Sequence, residues 1–124
     1  MNIVSLSVPA KSEWTLVLRM TVSGIGAVLD MPIDVIDDLK TALDESADLL
    51  MHQSFCVETF DLQADLDKDG LHVRLSAKRC DTRTNENPID PTIAGLIIGT
   101  LVREVQLDSD SDGISSVNML LPVK

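Results

Sequence analysis

Between Leu71 and Lys78 the side chains alternate without a break. Leu71, Val73, Leu75 and Ala77 are apolar, while His72, Arg74, Ser76 and Lys78 are polar. Successive side chains of a strand point to opposite faces. One face of this strand is therefore expected to be buried and the other to meet water. A sheet built on such a strand takes its helices on one side only. The run Phe55 to Ala64 reads as the antiparallel partner, and Asp69-Gly70 is the hairpin signal between them.

The other elements follow from period and caps. Residues 3–8 alternate and predict a strand that Pro9 stops. Residues 12–29 keep a helical period through Trp14, Leu18, Val22 and Ile25, weakened near Gly24 and Gly26. Asp34 reads as the cap of a second helix over about Val35 to His52. Asp90-Pro91 opens a third helix that runs to about Arg103. Val105 to Leu107 and Ile114 to Val123 read as the last strands. The order is strand, helix, helix, strand, strand, helix, strand, strand. The economical packing is an α+β two-layer sandwich: a mainly antiparallel mixed sheet with three helices on one face, as a single domain over 1–124.

Charge narrows the partners. Twenty acidic side chains against ten basic ones leave a formal net charge of −10. That sign disfavours nucleic acid and anionic membrane as general partners. No apolar run reaches the ~18 residues that a membrane helix needs. The start of the chain lacks the basic and then apolar pattern of a secretory signal. A cytoplasmic protein is expected, with Cys56 and Cys80 reduced. A bond between them is geometrically open, but a slip of one residue would put them on opposite faces.

Four features are candidates for chemistry. Asp38, Thr41, Glu45, Asp48 and His52 are three or four apart and make one line on the second helix, either a base or ligand set or a solvated acidic face. Residues 65–70 and 108–113 both read D-x-D-x-D-G, the opening of a calcium loop. The twelfth positions are Ser76 and Met119, not the bidentate acid such a loop requires, so acidic turns are the plainer reading. Lys78, Arg79 and Arg83 form a basic cluster suited to phosphate, to an acidic partner or to local charge balance. Gly95 and Gly99 suit close packing or a phosphate cradle.

Several strings, taken in order, resemble the anti-sigma-factor serine/threonine kinases of the RsbW type, within the histidine-kinase-like (GHKL) ATPase superfamily. They are Pro9-Ala-Lys-Ser-Glu13, Leu18-Arg-Met-Thr-Val-Ser-Gly24, Ile36-Asp-Asp-Leu-Lys-Thr-Ala42 with Asp44-Glu45-Ser46, Thr100-Leu-Val-Arg-Glu-Val105 and Gly113-Ile-Ser-Ser-Val117. The resemblance implies the histidine-kinase-like fold. It also implies a Glu-x-x-x-Asn box on the second helix, whose Glu is general base and whose Asn holds magnesium. Glu45 matches the Glu, and Leu49 stands at the Asn. The family's adenine-reading Asp falls near Ala77, with Asp81 a shifted substitute, and its two glycines are missing. The lid is shortened to about 81–90, and Thr92 and Ala94 occupy positions of the glycine-rich turn.

These departures remove a metal ligand, a base reader, a lid and a phosphate turn, and phosphoryl transfer depends on such positioning. The expectation is a regulatory protein that acts by protein–protein binding, with the ATP and kinase site lost and no cofactor. The resemblance places Arg19 at the partner-binding position of the first helix and implies a sigma factor or an antagonist as partner, with a homodimer as the assembly. The rival is an active, divergent kinase that binds ATP and magnesium, with Glu45 as base and Asp48 and Asp81 in displaced roles. A weak calcium-binding module is the third reading.

Overall fold

The computed structural model describes residues 1–84 and 89–123. Strand β1 is Asn2–Pro9, helix α1 Thr15–Val28, α2 Ile33–Met51, β2 Phe55–Asp67, β3 Gly70–Arg83, α3 Pro91–Leu101, β4 Glu104–Asp110 and β5 Gly113–Leu121. The strands form one sheet in the order β1-β2-β3-β5-β4. All four pairings are antiparallel, so the sheet is not mixed. The central register carries the alternation read from the sequence: Phe60 faces Ala77, Leu62 faces Leu75 and Ala64 faces Val73. These inward side chains share one core with Leu18 and Val22 of α1, Leu39, Leu43 and Leu50 of α2, and Ile98 of α3. The outward side chains His72, Arg74 and Asn118 remain at least partly exposed. The fold is thus a sheet covered by helices on one face.

Boundaries depart from the sequence reading for local reasons. β1 ends at Pro9, as expected, with the proline itself included in the strand. Pro9 is the last residue of an edge strand and pairs with Thr59, where its missing N–H costs little. The first helix divides into a 3-10 turn, Ser12–Trp14, and α1. Gly24 and Gly26 leave α1 unbroken. A Cβ at Gly26 would lie 2.5 Å from Cγ1 of Ile36, so this glycine is where α2 crosses close to α1. Asp34 is not the cap of α2: Pro32 occupies that position and Asp34 lies in the first turn, where its charge still suits the helix dipole. In the central hairpin Asp67 pairs with Gly70, which puts Lys68 and Asp69 at the tip rather than Asp69-Gly70. Gly70 has φ +134°, and a Cβ there would collide with the carbonyl oxygen of Leu121. The predicted polar loop at 81–89 begins later, because residues 81–83 continue β3. Its centre, 85–88, which is also the middle of the expected lid, lies outside the described residues.

The expectation of reduced cysteines is corrected. Cys56 and Cys80 are joined by a disulfide, with Cα atoms 5.3 Å apart. The regular register pairs Thr59 with Lys78, and its continuation would set Cys56 against Asp81. An irregularity between Thr59 and Val57 slips the pairing so that Val57 faces Arg79. The next position then sets Cys56 against Cys80. A bulge supplies the slip that the alternation alone does not reveal.

Candidate functional site

Several of the candidate residues on α1 and α2 line one groove. Ser12, Thr15 and Arg19 line one wall; Asp44, Glu45, Ala47, Asp48, Met51 and His52 line the other, around a volume of about 450 Å³. Helical spacing puts Arg19 one turn beyond Thr15, and Glu45, Asp48 and His52 on successive turns of α2. Of the line read on α2, Glu45, Asp48 and His52 line the groove together with Arg19, while Asp38 and Thr41 lie outside it. Asp81 is not brought there; it sits exposed near the end of β3.

Arg19 Nη1 lies 3.6 Å from Oδ2 of Asp44. Arg19 Nε has no hydrogen-bond partner among the described residues. Burial pushes the Asp44 carboxyl above its usual range, against the pull of Arg19 and Lys40. His52 Nδ1 lies 3.3 Å from Oδ1 of Asp48. Asp44 was missed from sequence because its partner is on another helix, and no spacing rule within one helix reports that contact.

The other positions that the resemblance singles out carry little polar chemistry. Leu49, which the resemblance sets against the Asn of the box, is 1% exposed and belongs to the core. Ala77 faces Phe60 across the hairpin, on the side of the core. At the start of α3 the Asp90 carboxylate accepts a hydrogen bond from the Thr92 N–H at 2.9 Å. An anion approaching that terminus would meet a carboxylate already in place.

The acidic turns behave differently from each other. Around 108–113 the carboxylates diverge. Asp108 accepts from Ser116 and Asn118, Asp110 from Arg79 at 2.7 Å, and Asp112 lies 3.5 Å from Arg83. Two members of the basic cluster, Arg79 and Arg83, are thus engaged by this turn. Around 65–70, Asp67 accepts from the Asp69 N–H at 2.8 Å and lies 2.9 Å from Nε2 of His72. The ligand atoms of Asp67, Asp69 and His72 lie within 4.8 Å of one another, on the open sheet face beside a shallow hollow of about 770 Å³. The sequence hid this trio because His72 belongs to the strand alternation. Gly95 and Gly99 pack toward Leu107 and Val105 of β4, in keeping with a packing role.

No family model matches the chain. Anti-sigma-F factor RsbW from two strains of Mycobacterium tuberculosis is 37% identical to it over 79 residues, which is 64% of this chain and 46% of the relative. A solved structure of RsbU and RsbW domains from Mycobacterium tuberculosis superposes with a TM-score of 0.67 at 15% identity, over 97% of this chain and 32% of that one. The chain resembles RsbW anti-sigma factors in sequence and in fold. The aligned stretch spans less than half the length of the curated relatives. Among the described helices none is long and apolar enough to cross a membrane.

Proposed function

We propose that this RsbW-like chain is a regulatory protein of the anti-sigma type that acts by binding other proteins, with its nucleotide site lost. The observation that carries this reading is Leu49. Magnesium on a triphosphate needs oxygen ligands. At the position where the family offers an amide, this chain buries a leucine in its core. The Asp90 carboxylate at the start of α3 and the net charge of −10 add to the disfavour for a triphosphate. The residues present therefore do not fit a bound magnesium nucleotide, and no phosphoryl-transfer step is assigned to Glu45, Asp48 or Asp81. The acids of 108–113 are engaged by Ser116, Asn118, Arg79 and Arg83 of the same chain, which supports reading them as turn residues.

Binding by the remaining surface centres on Arg19, with a sigma factor or an antagonist as the partner and a homodimer as the working assembly in the cytoplasm. Thermal unfolding with magnesium and ATP tests the loss of the site: the melting temperature is expected to stay unchanged, and a saturable rise would restore the kinase reading. Arg19→Glu tests the surface. It is expected to abolish capture of the cognate sigma factor or antagonist while leaving the melting temperature within a few degrees of the parent, since Arg19 is partly exposed.

A further inference from the structure

We propose that the α1–α2 groove and the apolar strip beside it receive an amphipathic helix of the partner protein, one whose apolar seam is edged with lysine or arginine. This rests on reading the chain as a protein-binding regulator, and it specifies the chemistry of what is bound. Two surfaces adjoin here. Leu16 and Met20 are 53% and 66% exposed and lie one turn apart on α1. Gly24 and Ala27 extend that uncharged strip, and nothing lies within 4 Å of where a Cβ of Gly24 would be. Arg19 follows Leu16 by three positions, so the strip runs along the rim of the groove. Across the rim stand Asp44, Glu45 and Asp48.

The charges in the groove do not balance. Arg19 faces Asp44 and His52 faces Asp48, while Glu45 has no ion-pair partner among the described residues. An occupant that covers the apolar strip would desolvate these carboxylates, and buried carboxylates require cations. A helix with leucine-type residues every three or four positions and basic residues on one side satisfies both surfaces together. A second copy of this chain does not supply one. Basic residues on its helices are limited to Arg19 on α1 and Lys40 on α2, with none on α3.

The test uses the whole chain and two designed peptides of about 16 residues, long enough for four helical turns. Both carry the same leucine seam; one has a lysine edge and the other a glutamate edge. Fluorescence anisotropy measures their binding to the parent, to the charge-reversed double variant Glu45→Lys/Asp48→Lys, and to Met20→Asp. The parent is expected to prefer the lysine-edged peptide by roughly tenfold or more, the double variant to reverse that preference, and Met20→Asp to weaken the favoured peptide by roughly tenfold. Equal binding of the two peptides overturns the proposal, as does no binding of either. A preference that survives charge reversal also overturns it, because it would reflect the acidic surface at large. Undiminished affinity of the lysine-edged peptide for Met20→Asp counts against the strip. Neither peptide is a sigma factor, so the outcome is separable from the anti-sigma reading: the surface stands if the preference reverses even where Arg19→Glu leaves sigma-factor capture intact.

Discussion

Leu49 shows how one side chain shifts the balance between chemistry and packing. The resemblance implies an amide oxygen here to serve a hard cation, whereas leucine serves the core, where it is 1% exposed. Placing there the asparagine that the RsbW resemblance implies is therefore expected to harm the protein before it helps. Leu49→Asn buries an amide among apolar neighbours and should cost about 3 kcal/mol, read as a lower midpoint in urea unfolding. If that variant instead unfolds like the parent and gains magnesium-dependent ATP binding, the core assignment of Leu49 is wrong. Gly26 is the matching case on α1: the sequence marked it as a weak point of a helix, and the structure uses it as the place where Ile36 of α2 approaches.

At the scale of elements, the two hairpin turns were legible as acidic turns, but their partners were not. Asp108 and Asp110 end β4, and both carboxyls are held below their usual range. Ser116 and Asn118 hydrogen bonds act on Asp108, and the Arg79 hydrogen bond acts on Asp110. A carboxyl whose folded pKa is lowered stabilises the fold above its unfolded pKa, and that contribution is lost as pH falls through the folded value. Stability is thus expected to decline on acidification below the ordinary carboxylate range near pH 4. Asp108→Asn should flatten that decline in thermal melts taken across the acidic range, and an unchanged slope would contradict the assignment. Helices were read to within a few residues because period and capping are local. Asp90 and Pro91 held as cap and first residue of α3. Asp34 failed as a cap because Pro32 already sets an extended entry to α2.

For the molecule as a whole, the disulfide is the clearest long-range fact. It closes a segment with a sequence separation of 24 between two strands that already pair. In the chain-entropy account a loop of this length contributes up to about 3 kcal/mol, less where the ends are held together anyway. Reduction is expected to lower the melting temperature of the parent by a few degrees and to leave Cys56→Ser/Cys80→Ser unmoved. Equal response of both proteins would show that the reductant acts elsewhere.

What the amino-acid order determined by itself was the architecture: alternation over 71–78 demanded a sheet with one buried face, and helical period placed three covering helices. These signals are local, since period and capping act within a few residues of one another. Tertiary structure decided what no single segment carries. The slip that sets Cys56 against Cys80, the approach of Arg19 to Asp44, and the meeting of Glu45 and Asp48 with α1 all depend on how separate elements dock. Docking is set by packing over long sequence separations, which spacing within one helix or strand does not encode.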